Sequence, residues 1–147
     1  WGVLTYLAAV PLLVITAALL SRLAPFLPTP PNPAAEIALG LRSRWEWVLL
    51  AAMAVGVAPV VEEAYFRGVL YGAFRQQLGV RWGVLLSAGA FAAVHPQLPL
   101  GFFPILALGV LLTVALEWRR SLTPCIVAHM LNNATALYLT SLLGSAW

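Results

Sequence analysis

Glu62 and Glu63 stand side by side after a stretch that carries no charge from Trp47 to Val61. A carboxylate inside a membrane span costs ~2.5 kcal/mol or more on insertion scales, so an adjacent pair needs a reason. Neighbouring residues of a helix point about 100° apart, whereas residues four apart share a face. Glu63 and Arg67 have that spacing, acid before base, so Arg67 is expected to neutralise Glu63. Glu62 then has no sequence-local partner and shares its face with Phe66. That leaves it as the carboxylate available for general-base work. The only histidines of the chain, His95 and His129, also lie in apolar stretches. A membrane histidine often makes nothing more than an interhelical hydrogen bond. Here two of them and an unpaired glutamate fall on three different helices that a bundle can bring together. Asn133 follows His129 by one turn and shares its face, while Asn132 is turned toward a neighbouring helix. Phe91 precedes His95 by one turn, as a pocket wall or as ordinary core.

Glutamate with two histidines serves two chemistries, and both lead to hydrolysis of a carbonyl bond. One is a divalent metal such as zinc, with His95, His129 and Glu62 as ligands and an open position for water. The other needs no metal: Glu62 takes a proton from water, a histidine orients that water, and Asn133 donates to the developing oxyanion. The residues leave both open. Neither HEXXH nor GxSxG occurs, which argues against the zincin and serine hydrolase designs.

Three segments carry a resemblance. APVVEEAYFRG (Ala58–Gly68), FAAVHP (Phe91–Pro96) and HMLNN (His129–Asn133) are similar to the EExxxR, FxxxH and HxxxN motifs of the CPBP intramembrane proteases. That family includes the type II CAAX prenyl endopeptidases and bacteriocin-processing or immunity-associated relatives. The motifs occur in the family's order and internal spacing, over roughly Trp45–Leu143. The resemblance implies an intramembrane endopeptidase acting on a membrane-associated or prenylated protein or peptide. It implies Glu62 as activator of the water, Glu63 and Arg67 as a supporting pair, His95 and His129 as catalytic or metal-binding, and Asn133 as oxyanion donor. It also implies a multi-pass protein, of the inner membrane in a bacterial cell. The rival readings are a non-catalytic immunity or scaffold protein of the same fold, or an ion- or proton-coupled transporter. Inverted repeats, which many transporters show, are not visible.

The elements that must position these residues follow from composition. Of 147 residues, 62% are hydrophobic and 9% charged, with a mean hydropathy of +0.91. A water-soluble domain is about a quarter charged, because its surface must be wetted. The expected fold is an all-α polytopic transmembrane bundle. The formal net charge of +3 rests on arginines set between apolar segments, the pattern of membrane edges. Without a basic stripe or recognition motif, a nucleic-acid partner is excluded. The single cysteine, Cys125, reads as a small core residue.

About five spans of roughly 20 apolar residues are expected. They are Val3–Leu20 with a kink at Pro11, a span from Trp45 through Glu62 to about Gln77, Trp82–Val94 reaching back toward Gly79, Leu100–Glu117, and Pro124–Leu143. Residues 1–44 form a first helix and a proline-rich linker, Pro25–Pro33, followed by a short interfacial helix. Residues 45–147 form the protease core. The chain starts at Trp1 directly in an apolar segment, so further spans are expected upstream. Gly68 and Gly72 suggest close helix packing. Arg67, Arg75, Arg81, Arg119 and Arg120 fall on one side, which the positive-inside rule makes cytoplasmic. Counted from that side, His129 lies about five residues in and His95 more than a dozen, at a rise of ~1.5 Å per residue. Tilted helices or a wet cavity must reconcile the two depths.

Overall fold

The computed structural model describes residues 1–26, 33–96 and 99–144, and every regular element among them is helical. Helix α1 spans Gly2–Ser21 and passes through Pro11 without a break. A short 3₁₀ turn, Ala24–Phe26, and helix α2, Pro33–Gly40, follow. Most of the proline-rich linker, and Gln97–Leu98 of the loop after His95, lie outside the described residues.

A long helical rod begins at Arg44. Ser43 caps it by accepting from the Glu46 amide (3.2 Å), while the Glu46 carboxylate accepts from the amides of Ser43 (2.9 Å) and Arg42 (2.8 Å). This reciprocal box satisfies orphan donors of the first turn. The rod comprises α3 (Arg44–Ala51), a π-helical stretch (Ala52–Val57), α4 (Ala58–Glu63), a second π-helical stretch (Ala64–Leu70) and the first part of α5 (Tyr71–Ala93). Pro59 has no N–H for the helix ladder and its ring presses on the preceding turn. The wider π-helical turn just before it accommodates both faults.

Helix α5 reverses at Gly79, whose φ of 79° and ψ of 174° suit only glycine. The arm after the turn packs back along the arm before it. A Cβ on Gly83 would stand 3.1 Å from the Arg75 backbone, and Ser87 Oγ donates to the Phe66 carbonyl at 3.2 Å. The segment from Arg44 to Ala93 is therefore a helical hairpin, and the expected extension of the third span back to Gly79 is where the chain turns. Helix α6 (Phe102–Arg119) and helix α7 (Thr123–Gly144) complete the bundle, joined through Arg120, which takes a left-handed conformation with φ 52°.

Among the described residues, three helical segments are long and apolar enough to cross a membrane: Gly2–Ser21, Arg44–Ala93 and Phe102–Arg119. The 50 residues of the second fold into two arms. Helix α7, 22 residues long, is diluted by His129, Asn132 and Asn133. Large side chains such as Leu19, Leu49, Val61 and Val69 are exposed around the bundle, as a lipid-facing surface requires. The interior is thin: Ala9 of α1 meets Leu108, Leu112 and Ala115 of α6 and Cys125 and Ala128 of α7. Cys125 is fully buried, the core residue expected, and its thiol donates to the Leu112 carbonyl at 3.1 Å. Of the two glycines the spacing suggests for close packing, Gly68 has a neighbour, Leu122 Cδ1, at 3.7 Å from a Cβ built on it. Gly72 faces open space, whereas a Cβ on Gly109 would stand 3.1 Å from Ala88 Cβ.

Candidate active site

Glu63 is completely buried, and its Oε1 receives two donors. Arg67 Nη1 lies at 3.0 Å, the expected i,i+4 ion pair, and His129 Nδ1 lies at 2.8 Å from the other side of the bundle. Arg67 also donates through Nη2 to the Gly109 carbonyl on α6 at 3.2 Å. Its guanidinium sits 4.3 Å from the centre of the Phe91 ring. One buried arginine thus ties the rod to α5 and α6, and Glu63 ties the same rod to α7. Removing either partner would strand a charge in a medium that cannot solvate it.

A carboxylate at Nδ1 places the imidazole proton there and leaves Nε2 as an acceptor. His129 Nε2 points toward Glu62, 3.7 Å from Oε2. That is too long for a direct hydrogen bond and short enough for one water to contact both. Glu62 itself is partly exposed, although its Oε2 is buried without a hydrogen bond among the described residues. The expected Glu63–Arg67 ion pair is present, and the neighbour of Glu62 is His129, which is distant in sequence.

Glu62, Phe91, His95, His129, Asn132 and Asn133 line one cavity of about 450 Å³, walled on α6 by Pro104, Ile105 and Leu108. Glu63 and Arg67 stand behind this wall. Phe66 does not line the cavity: it packs edge-on against Phe91 at 5.2 Å, behind it. The returning arm of the hairpin lays the Phe91 ring against Phe66, so Phe91 meets the cavity and Phe66 does not. Asn132 also differs from expectation, since it faces the cavity beside Asn133 rather than a neighbouring helix. Its Nδ2 donates to Asn133 Oδ1 at 3.3 Å, and Asn133 Nδ2 donates to the Ala54 carbonyl at 2.9 Å. Two adjacent amides after a buried histidine were the available signal; which helix faces Asn132 depends on tertiary packing that spacing within α7 does not contain.

The depth mismatch of the histidines disappears for two reasons. Helix α7 starts deep, because Cys125, near its beginning, is level with Leu112, about 10 Å inside the end of α6 at helical rise. His95 also folds back: its Nδ1 lies 2.7 Å from the Phe91 carbonyl one turn earlier. A carbonyl only accepts, so Nδ1 carries the proton and Nε2 is left free. The Phe91 ring then stands between the imidazoles, 4.6 Å from His95 and 5.6 Å from His129.

Among the described residues, no three His, Cys, Asp or Glu side chains gather closely enough to hold one metal ion. His129 spends Nδ1 on Glu63, and His95 spends Nδ1 on a backbone carbonyl. Glu62, His95 and His129 share a cavity without closing into one coordination sphere, so no step below is routed through a metal.

Apolar helices of an integral membrane protein surround a buried Glu–Arg–His network, beside a cavity that Glu62, His95 and His129 line. The family model described as Type II CAAX prenyl endopeptidase Rce1-like matches residues 44–135. The chain belongs to this family, whose members are in general CAAX intramembrane endopeptidases acting on membrane-associated peptides or proteins. No curated protein and no solved structure matches it.

Proposed function

We propose that the chain hydrolyses a peptide bond near the end of a membrane-associated, CAAX-type substrate, with water activated by Glu62. The observation that carries this reading is the placement of Glu62 Oε2 and His129 Nε2, 3.7 Å apart at the cavity, with His129 oriented from behind by Glu63. A water between them gives one hydrogen to the imidazole and the other to the carboxylate. Glu62 takes that proton as the water oxygen attacks the scissile carbonyl. The oxyanion receives an N–H of Asn133, whose Nδ2 has one hydrogen on Ala54 and a second for the cavity. When the C–N bond breaks, Glu62 returns the proton to the leaving amine. His95 supplies a further acceptor nitrogen on the wall. Donors aimed at the developing charge are worth roughly 10²–10³ in rate apiece.

The test is cleavage of a quenched fluorescent peptide with a farnesylated CAAX end, by purified protein in detergent micelles. Glu62→Ala should abolish cleavage while the protein still inserts and stays monodisperse. Full cleavage by that variant would overturn the assignment.

A further inference from the structure

We propose that Asn132, which lies outside the three motif patterns, is a positioning residue that sets the orientation of the Asn133 amide. The proposal rests on the peptidase reading above, in which Asn133 serves the oxyanion. An asparagine amide has two ends of nearly equal size and opposite polarity, and only the nitrogen end donates. In a cavity the wrong orientation would present an oxygen to the forming oxyanion and repel it.

Two contacts select the right one. The Ala54 carbonyl accepts from Asn133 Nδ2 at 2.9 Å, and Asn132 Nδ2 donates to Asn133 Oδ1 at 3.3 Å. The first holds the nitrogen end and the second holds the oxygen end. The Ala54 carbonyl holds only the nitrogen end, so the oxygen end needs a donor of its own. Asn132 shares the helix of Asn133 and moves with it. Its own Oδ1 has no hydrogen bond among the described residues and lies at the cavity, where a substrate main-chain N–H can reach it.

Asn132→Asp replaces the donor with an acceptor of the same shape. Whichever way the Asn133 amide then turns, one of its oxygen contacts becomes repulsive, against Ala54 or against the new carboxylate. With the farnesylated CAAX peptide, kcat should fall about ten- to a hundredfold, part of the value of one oxyanion donor. KM should change little. Lowering the pH protonates the introduced carboxyl and restores an O–H donor to Asn133, so the ratio of variant to wild-type kcat should rise toward acid. Glu62 on the rod, His95 on α5 and His129 on α7 face the same cavity, and α6 presents only apolar groups there. An introduced carboxylate acts on these groups as well, so the same pH series in the Asn133→Ala background is the reference against which the ratio is read.

In an Asn133→Ala background, adding Asn132→Asp should change kcat less than about twofold, because coupled residues are non-additive. Should Asn132→Asp fail to fold, Asn132→Leu removes the donor at similar volume and is read in the same cycle. An unchanged kcat, a ratio flat with pH, or an undiminished effect without Asn133 would each overturn the positioning role. Glu62→Ala run alongside separates the two readings. Loss of cleavage there with a normal Asn132→Asp rate overturns only this inference, and full cleavage by Glu62→Ala overturns the peptidase reading itself.

Discussion

Glu62 and Glu63 are chemically identical neighbours, and their surroundings divide their labour. Glu63 is buried against Arg67 and His129, so its charge is consumed in holding the site together. Arg67→Met should therefore destabilise the protein by about 3–5 kcal/mol, the usual cost of stranding one member of a buried pair. The measurement is the thermal unfolding midpoint in detergent. The double replacement Glu63→Leu with Arg67→Met removes both charges and should recover much of that loss. It should still cleave poorly, since His129 Nδ1 then has no acceptor to fix its tautomer. Recovery of activity along with stability would show that Glu63 serves folding alone. The donors of Glu62, His95 and His129 do not converge on one point, so cleavage should survive a strong chelator. Loss of cleavage under chelation, restored by zinc, would contradict the metal-free mechanism.

Among the elements, the hairpin at Gly79 matters most. It brings Phe91 and His95 back beside Phe66 and Glu62, because the two arms are of nearly equal length from the turn. Gly79→Ala should cost about 1–3 kcal/mol, since a Cβ is strained in that backbone region. Circular dichroism melting checks it, and an unchanged midpoint would mean the turn relaxes freely. Near the closed end of the hairpin, Glu117 on α6 accepts from Tyr71 Oη (2.6 Å) and Arg75 Nε (2.9 Å), and pairs with Arg120 Nη2 at 2.8 Å. Tyr71 is buried, but Arg75, Glu117 and Arg120 are partly exposed and water screens their charges, so Glu117→Gln should lower the midpoint much less than Arg67→Met. An equal effect would mean that this end of the bundle is as dry as its centre.

For the whole molecule, the solvent decides the architecture. The bundle has a thin core of small residues and a broad apolar exterior, so its helices are held by polar ties and close contacts rather than by hydrophobic burial. Those ties converge on the site: Arg67 to α6, His129 to the rod, Asn133 to Ala54, with Tyr6 Oη bonded to Thr135 at 2.7 Å on the α1 side. The protein should remain in the membrane pellet after an alkaline carbonate wash and leave it only with detergent. Release by carbonate would contradict an integral bundle.

By itself the sequence determined the class, the helices and the charged pair, because these depend on composition and on spacing within one helix. Lipid as solvent follows from too few charges, and the Glu63–Arg67 pair follows from an i,i+4 repeat. A junction between spans near Gln77–Trp82 was legible for the same local reason, whereas the reversal at Gly79 came from the structure. Tertiary structure decided what no single helix contains. It joined His129 to Glu63, set Phe91 between two imidazoles, and brought Asn132 to the cavity while the returning hairpin arm laid Phe91 over Phe66. Those outcomes depend on how far one helix starts inside another and on where a hairpin arm meets its partner. Neither quantity is written in residue type or spacing.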